Sequence, residues 1–207
     1  MNEELADPVE DTPLPMTESL VRARFAAAQP SAPIIEDGAD GHFRPAAVLV
    51  PLVTRVEGLT VMLTRRTDHL HHHPGQISFP GGRVEATDDG PVHTALRETE
   101  EEVGLSPRHV ELLGHLPDYL TGTGFRVTPV VGLVHPPFDL SPDSFEVAEV
   151  FEVPLAFLVD PANRRQETLF YRGRDRTYYA MPWRQYHIWG ATAGMLVSLS
   201  AFLHEAG

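Results

Sequence analysis

Apolar residues recur along this chain in two periods. Over 46–52 (AAVLVPL) they run almost unbroken. They return over 59–64 (LTVMLT) after the turn residues Glu57-Gly58, a pattern that predicts two strands folded back on each other. Residues 110–116 and 125–134 repeat the strand pattern on either side of a glycine-rich turn at 121–124, and Pro136-Pro137 ends the second. Residues 167–171 and 177–181 read as a hairpin across Arg172-Gly173-Arg174-Asp175. Helical spacing predicts a helix over 19–28 with Val21, Phe25 and Ala28 inward. A short apolar helix after Val153-Pro154-Leu155 ends near Asp160. A last helix spans 188–203, with Trp189, Leu196, Leu199 and Phe202 as core candidates. Residues 29–43 read as a loop, and 141–149 as an acidic loop or short helix. Arg65-Arg66 opens a loop towards the histidines, and 76–79 form a short strand that delivers Pro80-Gly81-Gly82. Strands interleaved with helices predict one α/β or α+β sandwich over 17–207, preceded by an acidic, proline-punctuated disordered tail at 1–16.

One predicted helix carries more than packing residues. It runs from about Asp89 to Val103, with Thr87 or Asp88 as its cap, Pro91 in its first turn and Gly104 as its stop. At about 100° per residue, Val92, Ala95, Leu96, Thr99 and Val103 form the buried stripe. Glu98, Glu101 and Glu102 share a neighbouring sector, and Glu100 points almost opposite. Three carboxylates at this spacing repel one another, and two of them sit near the helix C-terminus, where the dipole disfavours them. Arg97, one turn before Glu101, offsets part of this, and a hard cation such as Mg²⁺ or Mn²⁺ would offset more.

Composition narrows the chemistry. The formal net charge is -13, which excludes a broad nucleic-acid-binding surface. All 16 basic residues are arginine, so a lysine Schiff base and a Walker lysine are excluded, and arginine is left to recognise any phosphate. With no cysteine there is neither a disulfide framework nor a thiolate site. No run of eighteen apolar residues predicts a membrane span, and the acidic start lacks the features of a signal peptide, so a cytoplasmic location is expected.

The stretch from Gly82 to Leu105 resembles the signature of the Nudix hydrolases, whose second half stands here as Arg97-Glu98-Thr99-Glu100-Glu101-Glu102-Val103-Gly104-Leu105. Thr99 replaces the usual aliphatic residue, and the first half is one residue longer than the common motif. The family's earlier glutamate is represented by Asp88 or Asp89. The resemblance implies a Nudix-type α/β/α sandwich with a mixed central β-sheet. It also implies Glu98, Glu101 and Glu102 as ligands of Mg²⁺ or Mn²⁺, Arg97 as the side chain that orients them, and Gly82 as the turn beside the substrate. Upstream, Leu63-Thr64-Arg65-Arg66, Leu70 and the run from His73 through Gly75, Gln76, Phe79, Pro80 and Gly81 to Gly82 look like the coenzyme A pyrophosphatase branch, which shares the longer acidic loop. So do Glu146 to Phe151, Val153-Pro154-Leu155 and Ile188 to Ala193.

That branch is expected to split coenzyme A at its diphosphate into 3',5'-ADP and 4'-phosphopantetheine. Hydrolysis there needs charge neutralisation, positioning and a carboxylate that takes the proton of the attacking water. Glu98 and Glu146 are both candidates for that base. Arg65, Arg66, His73, Gln76, Gly81 and Gly82 are the candidate substrate contacts. Of the histidines at 69 and 71–73, only His73 matches the branch pattern, and adjacent residues do not converge on one ion. The expected partner is a small molecule, with no nucleic acid and no membrane, and the resemblance adds a homodimer.

Overall fold

The structure, a computed structural model, describes residues 16–27, 32–69, 74–171 and 173–204. Its centre is strand β2 (Arg44–Arg55), which turns back into β3 (Gly58–Arg66) with Arg55 opposite Gly58, as the apolar pattern predicts. On its other edge β2 runs parallel to β8 (Phe125–Val134), in register from Arg44↔Phe125 to Val53↔Val134. The short β5 (Gly81–Arg83) completes the β3 side of β2, pairing Ala46↔Arg83, Ala47↔Gly82 and Val48↔Gly81. Antiparallel and parallel pairs therefore coexist in one mixed sheet.

Among the described residues that sheet has nine strands. β4 (Ile77–Ser78) and β9 (Val147–Pro154) pair with β3, β6 (Val110–His115) and β7 (Tyr119–Leu120) pair with β8, and β1 (Ile34–Ile35) lies beside β7. Three of these correct the sequence reading. β1 interrupts the expected loop at 29–43. β9 begins at Val147, inside the expected acidic loop. Arg65 and Arg66 end strand β3 instead of opening a loop. In each case the strand is held by pairing with a distant partner, which local propensity does not report.

Alternation in β2 explains the layers. Ala46, Val50 and Leu52 join a core with Val21 and Phe25 of helix α1 (Glu18–Ala27), Leu155 and Leu158 of α3 (Leu155–Val159), and Leu196 and Leu199 of α4 (Ala191–His204). Ala47, Leu49 and Val53 face the opposite way, against Ala95 and Val103 of α2 (Pro91–Val103). A strand covered on both faces has to read as a continuous apolar run, as 46–52 does. Each large side chain buried there contributes about 1.5–3 kcal/mol.

A three-stranded sheet of β10 (Arg165–Tyr171), β11 (Arg174–Trp183) and β12 (Tyr186–Trp189) follows. The β10–β11 hairpin was expected. Ile188 and Trp189 belong to β12, and Trp189 is half-buried, so the last helix starts only at Ala191. Of the expected tail at 1–16, only Met16 falls within the described residues, and it packs against the core. Ala28 and His71–His73 lie outside the described residues. No helix among the described residues is long and apolar enough to cross a membrane.

Candidate active site

Helix α2 presents the carboxylates, and its two ends fix where they stand. Pro91 occupies the first turn after Gly90, with no side-chain cap, so neither Thr87 nor Asp88 caps the helix. Gly104 ends it at φ 73°, its N–H donating to Glu100 O at 2.9 Å. A Cβ there would meet Ser141 N at 2.7 Å, so only glycine fits the turn. Thr99, the departure from an aliphatic residue, is buried. Its hydroxyl donates to Ala95 O at 2.6 Å, which lets its methyl pack as an aliphatic would. Val92, expected inward, is exposed, and Thr94 takes the inward position in the opening turn.

The Asp88 side chain is buried and braces Arg97 instead. Arg97 Nε and Nη2 donate to its two oxygens, each at 2.9 Å, and the Thr94 hydroxyl donates to Oδ2 at 2.8 Å. The Arg97 guanidinium, with the Glu85 N–H and the Thr94 hydroxyl, holds this carboxyl well below the usual carboxylate range. Arg97 Nη1 then reaches Glu98 Oε1 at 3.0 Å and Glu101 Oε2 at 3.1 Å. The guanidinium is a fork set between one buried anion and two site carboxylates.

Glu102 is 9% exposed and accepts from the Gly81 N–H at 3.1 Å, and Arg66 Nη1 stands 3.9 Å from it. Burial, helped by the charges of Glu146 and Glu98, pushes its carboxyl up to about 7. Burial also raises Glu98, against the pull of Arg97, and Glu101 and Glu146 add to the rise. Glu98 sits over Gly82, whose missing side chain makes its space. Glu146 comes within 3.8 Å of Arg66. Glu101 keeps a side-chain exposure of 61%.

These groups form an oxygen-only donor set with more negative charge than Arg66 and Arg97 balance, which is the chemistry a hard divalent cation matches. Glu98 and Glu102, both raised by burial and by the neighbouring Glu146, with Glu98 resting over Gly82 and Glu102 on the Gly81 N–H, are the observation behind that fit. Among the described residues no three such side chains already converge on one point. Glu98 and Glu101 are both turned on to Arg97.

A cleft of about 700 Å³ opens on the other face of β5. Arg66, Gln76 and Gly81 line it, together with Arg44, Arg83 and Phe125. Of the expected substrate contacts, Arg66, Gln76 and Gly81 therefore meet in the cleft, and Gly82 faces Glu98. Arg65 does not line the cleft. It turns to Asp68 at 3.5 Å and Glu149 at 3.7 Å. His73 lies outside the described residues. Arg44 and Arg83 escaped the sequence reading. Arg83 directly follows Gly82, a signal that was there to use, whereas Arg44 reaches the site only through the β2–β8 pairing.

A family model described as the NUDIX domain matches residues 43–173. The chain is 42% identical over 157 residues to the uncharacterized Nudix hydrolase NudL of Enterobacter sp. (strain 638), covering 76% of this chain and 81% of that protein. It is 42% identical over 160 residues to the protein of the same name from Escherichia coli (strain K12), covering 77% and 82%. Among solved structures, a C. elegans Ap4A hydrolase binary complex is similar with a TM-score of 0.47 and 19% identity, over 54% of this chain and 80% of that one.

Proposed function

Because the chain belongs to the Nudix hydrolase family, we propose that it hydrolyses the diphosphate bond of coenzyme A or an acyl derivative, giving 3',5'-ADP and 4'-phosphopantetheine or its acyl form. Pyrophosphohydrolase chemistry follows from the family. The coenzyme A assignment is our reading. One observation supports it: two residues of the motif that resembles the coenzyme A branch, Arg66 and Gly81, link the carboxylates to the cleft. Arg66 at the end of β3 lines the cleft and pairs with Glu102 and Glu146, and Gly81 lines the cleft while its N–H fixes Glu102.

Glu98, Glu101 and Glu102 are the residues that would hold Mg²⁺ or Mn²⁺, whose chemistry is to neutralise the diphosphate and acidify water. The rest falls to the chain's own groups. Arg97 holds Glu98 and Glu101 in place and is itself held by Asp88. Arg66 offers a guanidinium fork to the diphosphate from the cleft side. Glu98 and Glu146 are the two candidate bases, since both lie at the cluster and each can take a proton from water. Glu149, on strand β9, accepts from the Tyr186 hydroxyl at 2.5 Å.

A substrate panel tests the reading. Coenzyme A, an acyl derivative, ADP-ribose and a dinucleotide polyphosphate are incubated with Mg²⁺ or Mn²⁺ and the products separated by chromatography. Coenzyme A is expected to give two products cut at the diphosphate, with the highest kcat/KM in the panel. Rapid turnover of another diphosphate with none of coenzyme A replaces this assignment by a different Nudix substrate.

A further inference from the structure

Two guanidinium groups in the cleft share one aromatic ring. Arg44 Cζ lies 4.2 Å from the centroid of the Phe125 ring, and Arg83 Cζ lies 5.5 Å from the same centroid. Strand register brings them together. Arg44 is paired with Phe125, and Arg83 is paired with Ala46, two residues along β2 and therefore on the same face. The same alternation separates them from the carboxylates, because Gly82, one residue before Arg83, faces Glu98 on the other side of the sheet.

Among the described residues neither arginine has a carboxylate within ion-pair distance, although Arg22, Arg55, Arg66 and Arg97 all do. The chain has 29 acidic residues and only 16 basic ones. Both side chains are exposed, so water screens their repulsion, and an anion bound by both would remove what remains of it. An aromatic face can brace a guanidinium and still leave its N–H edges free, and those edges match the oxygens of a phosphate.

We propose that Arg44 and Arg83, braced on Phe125, form a second anion seat that takes a phosphomonoester of the substrate, separate from the diphosphate that is cut. The identity of that group rests on the coenzyme A reading. Coenzyme A carries a 3'-phosphate on its ribose, whereas dephospho-coenzyme A and ADP-ribose do not. The seat would then select for the nucleotide half of the molecule, and Arg66 would serve the diphosphate.

The test uses the full chain and needs no turnover. Adenosine 3',5'-bisphosphate and AMP are titrated calorimetrically, with and without Mg²⁺. The bisphosphate is expected to bind more tightly by roughly tenfold or more, the scale of charge-assisted hydrogen bonds to one phosphate. That preference should vanish in Arg44→Gln and in Arg83→Gln. It should persist in Arg126→Gln, which removes the same charge from an exposed neighbour paired with Asp118. In turnover, the ratio of kcat/KM for coenzyme A over dephospho-coenzyme A should fall in the first two variants. Equal binding of the two nucleotides, no measurable binding of the bisphosphate, or a preference that survives both substitutions overturns the seat, whatever the enzyme hydrolyses. A preference that both substitutions abolish, in a protein that does not turn over coenzyme A, upholds the seat and removes the substrate assignment.

Discussion

The carboxylate of Glu98 occupies the space that a side chain at Gly82 would fill. Both of its oxygens lie 2.5 Å from where a Cβ would stand. Gly82 is thus the floor on which one site carboxylate rests. Gly82→Ala should leave the fold intact, because the displaced group is the end of a flexible side chain, and should move Glu98 out of position. We expect an unchanged circular dichroism spectrum and a loss of kcat on the order of 100-fold, the scale for a misplaced reacting group. Near-normal activity in Gly82→Ala removes Glu98 from the catalytic arrangement.

Asp88 acts one step further out. It makes no contact with the cleft and holds Arg97, which in turn holds Glu98 and Glu101. Asp88→Asn should lower the thermal midpoint, since the partly buried Arg97 guanidinium loses the most buried of its three carboxylate partners. It should also reduce activity or Mg²⁺ affinity by about 10- to 100-fold, as for other groups that orient ligands. Magnesium titration of the activity separates the two effects. A variant with a lowered melting temperature and full Mg²⁺ affinity shows that Asp88 serves the fold alone.

What could be read from the chain was mostly local. Helix α2, its Gly104 stop and the β2–β3 hairpin follow from periodicity and turn chemistry within about a dozen residues. The grouping of Glu98, Glu101 and Glu102 followed from helix geometry in the same way. Contacts between distant segments were harder to see. Strand β9 carries Glu149 and Glu152 among its apolar residues, and it is a strand because β3 pairs with it. Arg65 and Arg66 look equivalent in sequence, yet they end a strand whose successive side chains diverge, and only Arg66 reaches the cleft. Asp88 read as a cap because it precedes the helix. Its role depends on Arg97, nine residues on, folding back to it.

Helix α1 is fastened to the sheet by a charge pair that acid should release. Arg22 donates to both oxygens of Glu111 on β6, and His135 stands 3.2 Å from one of them. These contacts push Glu111 down to about 2 from an ordinary 4.5. A carboxyl depressed in the folded state stabilises above its unfolded pKa, and that contribution is lost as pH falls through the folded value. The stability difference between the wild type and Glu111→Gln should therefore be full above about pH 5, shrink below it and vanish near pH 2. Both partners are partly exposed, so the difference should be modest and reduced by salt. Urea denaturation of both proteins across that range measures it, and a difference that does not change with pH rules out the linkage.

Glu102 sets the demands of stability against those of the site. It is a nearly buried carboxylate beside Glu98 and Glu146, and its fixed partner is the Gly81 N–H. Glutamine can accept the same hydrogen bond through its oxygen while removing the like-charge repulsion and the cost of desolvating an anion. In EDTA, Glu102→Gln should therefore melt at or above the wild-type temperature. With excess Mg²⁺ the order should reverse, because a ligand that binds only the folded state raises its stability in proportion to affinity, and the variant has lost one donor. Diphosphate hydrolysis should fall in the same variant. Thermal denaturation in the two buffers, with activity measured in parallel, tests both parts. A variant that gains as much from Mg²⁺ as the wild type does not use Glu102 as a ligand. One that is destabilised in EDTA shows that the carboxylate is held there for the fold.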